Sequence, residues 1–167
     1  MIIRQAVEKD APAVAALINE MVRGSLITFT VDERDCAQMT EQIRQSGPRF
    51  LVAEKAGAVL GYASYKPFRD GPGYRHSMEH SILLAPAAHG CGTGRALMTR
   101  LEAIAVGEGV HVLIAGISSA NPDAVGFHKA LGFDAVGRMP QVGRKWDQWL
   151  DLVLMQKILA TDAKTLT

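Results

Sequence analysis

The stretch from Ser81 to Ile117 most limits what this chain can fold into. Ser81 to Leu84 is mostly apolar and reads as a strand. The loop after it carries glycine at alternate positions: Gly90, Gly92 and Gly94. Leu97, Met98, Leu101, Ile104 and Ala105 then recur at helical spacing. Val110 to Ile117 is apolar except for His111, as suits a strand covered on both faces. Strand, loop, helix, strand is a βαβ unit with a right-handed crossover, so the chain must contain a parallel strand pair.

A glycine-rich turn feeding a helix presents unpaired backbone N–H groups, and the helix dipole adds partial positive charge there. Such a turn can cradle a diphosphate. It can equally be a tight turn with no ligand. The spacing G-x-G-x-G is not the dinucleotide fingerprint, and no Gly-Lys-Ser/Thr follows to make a P-loop.

The rest of the chain extends this unit on both sides. Ile2 to Ala6 reads as a strand, and Asp10 as the cap of a helix with Pro12 in its first turn. Val14, Leu17, Ile18, Met21 and Val22 form the buried stripe of that helix, which Gly24 and Ser25 end. Ile27 to Thr30 is short and apolar. A second helix, about Arg34 to Gln45, carries Cys36, Met39 and Ile43 on one face and stops at Gly47-Pro48. Phe50 to Glu54 and Val59 to Tyr65 read as a hairpin across Lys55-Ala-Gly-Ala58. Lys66 to Tyr74 is a loop, and Arg75 to Leu84 is the strand that enters the glycine turn. Asn121-Pro122 opens a helix over about Asp123 to Leu131. Phe133 to Val136 and Trp149 to Met155 are closing strands joined by a long loop, Gly137 to Gln148. The expected fold is one α/β domain over residues 1–160. It has a mixed central sheet of about six to seven strands, flanked by about four helices. A polar tail, 161–167, is expected to fray.

Eighteen basic residues oppose seventeen acidic ones, which leaves no electrostatic footprint for nucleic acid or an anionic membrane. No apolar run reaches the length of a membrane span, and no signal peptide is visible. The two cysteines, Cys36 and Cys91, have no metal-type spacing, so neither a metal site nor a disulfide scaffold is expected. These features together suit the cytoplasm.

Several separated motifs resemble the GNAT (GCN5-related N-acetyltransferase) superfamily. His89-Gly-Cys-Gly-Thr-Gly94 is similar to its Gln/Arg-x-x-Gly-x-Gly/Ala acetyl-CoA signature. Asn121 to Phe133, ending in Gly-Phe, is similar to its second cofactor motif. Gly61-Tyr-Ala-Ser-Tyr65, Glu79-His-Ser81, Met139-Pro-Gln-Val-Gly143 and Trp149-Leu-Asp-Leu152 resemble the phosphinothricin and methionine sulfone acetyltransferase group. The resemblance implies a GNAT fold and acetyl-CoA as cofactor. It also implies a small amino-acid-like amine as acceptor, a detoxifying role and a homodimer. The chain departs from the signature at His89, where Gln or Arg is usual, and at Cys91, where a basic residue is frequent. Weaker cofactor binding is expected in consequence, with Arg95 as a compensating charge.

Acetyl transfer to an amine requires a base for the ammonium proton and stabilisation for the carbonyl oxygen as it gains charge. Glu79, in a mostly apolar strand, is the candidate base, since partial desolvation moves a carboxylate towards the range of a working base. The resemblance puts the base there; the alternative is a strand glutamate paired with Arg75. His128 occupies the position where many relatives carry a tyrosine near the thioester sulfur, so it is a candidate donor to the departing thiolate. The alternative is a histidine packed on the sheet with its ring satisfied locally. His80, next to Glu79, faces the other side of the strand and reads as structural.

The cofactor is expected on the backbone of Ile82, Leu83 and Leu84, on the loop His89, Gly90, Cys91, Gly92, Thr93 and Gly94, on Arg95, and on Asn121, which is equally a helix cap. Arg69 and Arg75 match arginine positions of the group and suit a carboxylate anchor, with solvated loop charge as the alternative. Phe29 and Phe68 are candidate walls of the side-chain pocket. Trp146 and Trp149 are either core residues or interface anchors. Rival functions keep the fold but acetylate a protein N-terminus, a polyamine or an aminoglycoside, or bind acyl-CoA without catalysis. Cationic acceptors would want an acidic pocket rather than paired arginines.

Overall fold

β1 (Ile2–Gln5) runs antiparallel to β2 (Phe50–Lys55), and β2 to β3 (Ala58–Pro67), which is antiparallel to β4 (Ser77–Leu84). The computed structural model describes residues 1–159, so the expected tail over 161–167 lies outside the described residues. β4 pairs parallel with β5 (Val112–Ser118). β5 pairs antiparallel with β7 (Gln148–Ile158), and β7 with the edge strand β6 (Asp134–Lys145). The sheet order is β1-β2-β3-β4-β5-β7-β6. No described helix is long and apolar enough to cross a membrane.

Among the described residues, four α-helices cover the two faces. α3 (Thr93–Gly107) and α4 (Pro122–Ala130) lie on one. There Leu97, Met98 and Leu101 of α3 pack with Leu113, Ala115 and Phe133. α1 (Ala11–Gly24) and α2 (Cys36–Ser46) lie on the other, where Val14, Ile18, Met39 and Ile43 pack with Phe50 and Val52. Each such aliphatic or aromatic side chain contributes about 1.5–3 kcal/mol when fully withdrawn from water. Along β5 the odd residues 113, 115 and 117 join the first core, so Ile114, Gly116 and Ser118 face the α1 side.

Four expectations need correction. Asp10 stands at the N-cap position of α1 but makes no side-chain cap bond to it. Its carboxylate instead accepts from Arg4 Nη1 at 2.7 Å, Arg4 Nη2 at 2.9 Å and the Val7 amide at 2.9 Å. The guanidinium holds that carboxyl below the usual range. Cys36 is exposed, because α2 begins at it, capped by Asp35 through the Gln38 amide. β3 runs to Pro67, two residues into the expected loop.

The largest correction concerns residues 137–148, which are not a loop. β6 continues through Lys145 with bulges between Ala135 and Gly137 and between Met139 and Gly143. Trp146 and Asp147 turn the chain with φ of 49° and 61°. Such a left-handed two-residue turn favours glycine or asparagine, and Trp-Asp gives no such signal. Trp146 and Trp149, 50% and 58% exposed, are not core residues. Lys145, by contrast, is buried, and its Nζ donates to the Val22 carbonyl at 2.7 Å, fastening β6 to the last turn of α1.

Candidate active site

The parallel ladder between β4 and β5 is short. It holds only Ser77 with Val112, Met78 with Leu113 and Glu79 with Ile114. β4 continues to Leu84 and β5 to Ser118 without pairing to each other. Each remains bonded on its outer side, β4 to β3 and β5 to β7. A seam therefore opens above Glu79, and one edge of Ile82, Leu83 and Leu84 faces it. Unpaired strand edges of this kind leave main-chain donors and acceptors for a ligand.

At the top of the seam the chain turns through a 3₁₀ segment into α3. Gly90 and Gly92 have φ of 70° and 77°, a backbone that L side chains rarely adopt, and nothing stands within 4 Å of where a Cβ would project. Among the described residues, none of the amides of Gly90 to Arg95 donates to a protein acceptor. Those amides stand at the start of a 15-residue helix, where unpaired N–H groups can receive an anion. Gly94 has a different reason to be glycine. It is buried, and a Cβ there would lie 3.0 Å from the Phe127 ring. It allows α3 and α4 to approach.

The side chains of the loop turn onto protein carbonyls. His89 Nε2 lies 3.3 Å from the Leu84 carbonyl oxygen, Cys91 Sγ donates to the His89 carbonyl at 3.4 Å, and Arg95 Nη2 donates to the Ala130 carbonyl at 3.3 Å. Asn121 Oδ1 accepts from the Ala124 amide at 3.2 Å, so it is a helix cap. Its amide NH₂ makes no hydrogen bond among the described residues, which leaves it available at the open end of β5.

Glu79 sits where the ladder ends, half-buried on the α1 side of the sheet. Its carboxylate has no hydrogen-bond or ion-pair partner among the described residues, so the alternative of a pair with Arg75 is not what forms. Oε1 lies 3.0 Å from where a Cβ on Gly116 would stand. Gly116 also lines a cavity of about 260 Å³, together with Ile27 to Thr30, Ser118 and Leu152. The segment over this cavity follows α1 and is tied to β5, since Ser118 Oγ donates to the Leu26 carbonyl at 2.7 Å.

Phe29 lines this cavity, and Glu79 does not; its carboxylate lies against Gly116, which is part of the lining. Phe68, Arg69 and Arg75 do not line it. Phe68 packs edge-on to Tyr74, the Arg69 guanidinium lies 5.1 Å from the Phe68 ring centre, and Arg75 Nε donates to His76 Nε2 at 2.8 Å. Gly116, Ser118 and Leu152 were missed from the sequence. A lone glycine inside an apolar strand was the one signal that could have marked close approach at position 116.

His80 lies on the opposite face from Glu79, 6% exposed, and meets His128 of α4, 4% exposed. Their Nε2 atoms are 2.9 Å apart, and His128 Nδ1 is 2.7 Å from the Ala124 carbonyl oxygen. A carbonyl only accepts, so Nδ1 of His128 carries a proton. Its Nε2 then accepts from the Nε2–H of His80. Nδ1 of His80 is left as a buried lone pair without a partner among the described residues. Burial, with the neighbouring His128 ring, pushes His80 down to about 3, and burial lowers His128 as well. The expectation that His128 protonates a departing thiolate does not match this placement. Both its nitrogens are engaged inside the core, as the structural alternative has it.

Residues 16–133 match the acetyltransferase (GNAT) family. The chain is 37% identical over 158 residues to an L-methionine sulfoximine/L-methionine sulfone acetyltransferase of Pseudomonas aeruginosa, covering 92% of each. It superposes with a TM-score of 0.90 and 41% identity on the crystal structure of a ribosomal-protein-alanine N-acetyltransferase from Brucella melitensis, covering 95% of this chain and 100% of that one. A phosphinothricin acetyltransferase from Sinorhizobium meliloti, solved in complex with acetyl-CoA, superposes with a TM-score of 0.89 at 32% identity over 98% of this chain and 90% of its own.

Proposed function

The chain belongs to the GNAT acetyltransferase family, and from that premise we propose that it acetylates the α-amine of a small amino-acid-like acceptor, directly from acetyl-CoA. Methionine sulfone, methionine sulfoximine and phosphinothricin are the acceptors we assign, which gives the enzyme a detoxifying role in the cytoplasm. One geometry carries the reading. A seam between β4 and β5 leads from the free amides of Gly90 to Arg95 down to the unpaired carboxylate of Glu79, which lies against Gly116, a residue of the cavity that Phe29 also lines.

Acetyl-CoA supplies an acyl group activated as a thioester. The amides of Gly90, Cys91, Gly92, Thr93, Gly94 and Arg95 hold its diphosphate, with His89 at the loop's first position. The free edge of Ile82, Leu83 and Leu84 and the amide of Asn121 hold the pantetheine arm. Glu79 accepts the proton of the acceptor's ammonium. Phe29 bounds the acceptor side chain. Arg69, over the Phe68 ring, and the exposed Arg75 lie outside the cavity of Phe29 and are assigned no contact with the acceptor. His128 and His80 hold α4 against β4 rather than touching the reacting atoms.

An unprotected edge strand with exposed Val136, Met139 and Val142, next to Trp146 and Trp149, supports a homodimer through this side of the sheet.

The deciding experiment follows thiol release from acetyl-CoA. The panel holds amino acids, their sulfone, sulfoximine and phosphinic analogues, a peptide with N-terminal alanine, a polyamine and an aminoglycoside. The structural likeness to a ribosomal-protein-alanine enzyme gives the peptide its place. Preference for the peptide or a polycation would replace the assigned acceptor. Coenzyme A binding without thiol release from any amine would make the chain a binding module. Glu79→Gln should slow the assigned reaction by about 10²–10⁴-fold at neutral pH.

A further inference from the structure

We propose that Gly143 is a specificity-determining residue that never touches the acceptor: it makes room for the Phe29 ring and so sets the width of the acceptor cavity. The inference rests on the reading of that cavity as the acceptor site.

Phe29 lines the cavity and Gly143 does not. The ring lies directly against the glycine backbone. A Cβ at position 143 would stand 2.5 Å from Phe29 Cγ and 2.6 Å from Cε2. Carbon atoms in good contact are about 3.5–4.0 Å apart, so any side chain at 143 must displace the ring by about 1 Å. Phe29 belongs to the cavity lining and Gly143 does not, so a ring pushed off Gly143 reshapes the cavity wall.

The alternative is that the strand yields instead. Its neighbours hold it in place. Gly143 ends the β6 bulge that begins at Met139 and is paired with Leu150 of β7. Asp151 clamps the bulge, accepting from the Gln141 amide at 2.8 Å and from Arg138 Nε at 2.7 Å. Two residues on, buried Lys145 is fastened to the Val22 carbonyl. The backbone carrying Phe29 is also tethered, through Leu26 to Ser118. With both main chains fixed, the ring is the movable part. Gly143 is therefore a positioning residue, acting on the acceptor through Phe29. A pocket altered by one methylene's worth of space discriminates about 10–200-fold, which is the scale expected here.

The test compares wild type, Gly143→Ala, Phe29→Leu and the double variant, with methionine sulfone and its one-carbon-shorter homologue S-methylcysteine sulfone. Gly143→Ala should raise KM for methionine sulfone about tenfold or more and for the shorter acceptor much less. The KM for acetyl-CoA should stay within about twofold. Adding Phe29→Leu should restore the methionine sulfone KM, because a smaller side chain vacates the space. Calorimetric titration of methionine sulfone into the coenzyme A complex should show the same loss and rescue at equilibrium. An unchanged acceptor preference, a loss shared equally by acceptor and acetyl-CoA, or failure of the double variant to recover overturns the proposal. If Gly143→Ala does not fold alone, Gly143→Ala with Phe29→Leu decides: the double variant must fold and keep a near wild-type KM for methionine sulfone, and its failure to fold overturns the proposal. Wild-type protein that acetylates neither acceptor refutes the assigned function; active wild type with none of these shifts refutes only the role of Gly143.

Discussion

The Glu79 carboxylate lies across Gly116 of the neighbouring strand, Oε1 standing 3.0 Å from the point a Cβ would occupy. These two residues mark the fork where the parallel ladder ends. The glycine lets the carboxylate approach the β5 backbone beside a residue that lines the cavity. A side chain at 116 would push it off that position. The atom in the way is the far end of a flexible side chain, so the fold has no reason to suffer.

Gly116→Ala should therefore leave thermal stability almost unchanged while lowering kcat/KM for the acceptor by about 10- to 100-fold. Misplacement of a catalytic group by about 1 Å costs on that order. Steady-state kinetics and a melting curve on the same preparation check it. Full activity would show that Glu79 is not used in the position seen here.

Gly92→Ala tests the anion cradle. Nothing crowds the new methyl group, but φ of 77° would cost a non-glycine residue about 1–2 kcal/mol. If the loop relaxes, its amides no longer converge, and coenzyme A affinity should fall about 5- to 30-fold. Cys91→Ala, at an exposed position between the two left-handed glycines, should retain both affinity and most activity. Titration calorimetry with coenzyme A separates the two variants. A Cys91→Ala protein that binds cofactor yet is inactive would revive a covalent role for the thiol.

The buried histidine pair makes a prediction about acid. His80 is held neutral, with its pKa depressed from 6.5 to about 3, and His128 is lowered too. The unfolded chain therefore takes up more protons than the folded one below pH 6.5, so stability must fall as pH drops through that window. Above it these groups contribute no slope. For one fully depressed histidine the loss between pH 6.5 and 5 is roughly 2 kcal/mol. Urea unfolding at pH 7 and pH 5 should show at least that loss in wild type and a smaller one in His80→Phe. A profile that is flat, or that rises with acid, would mean the pair holds a proton when folded.

How much of this was legible beforehand differs by residue. The elements around Leu97 to Ala105 and Val110 to Ile117 follow from the spacing of apolar side chains, which the backbone geometry of helix and strand makes a local property. The β6 strand escaped because Met139-Pro-Gln-Val-Gly143 lacks alternation, and its bulge depends on Asp151, ten residues from Gln141. His128 escaped because its partner is 48 residues away. The residue types at Phe68, Arg69 and Arg75 suggest one acceptor site with Phe29. The structure sets them outside the cavity that Phe29 and Gly116 share.

By itself the sequence determined a βαβ-centred α/β domain, a glycine turn suited to a diphosphate, and a carboxylate on the strand leading to it. These are short-range matters of φ, ψ and periodicity. Only the tertiary structure decided where β4 and β5 part, which glycines admit Glu79 and Phe29, and that His128 turns inward to His80. Each of these depends on groups far apart in the chain arriving in the same few ångströms, and no local pattern encodes such an encounter.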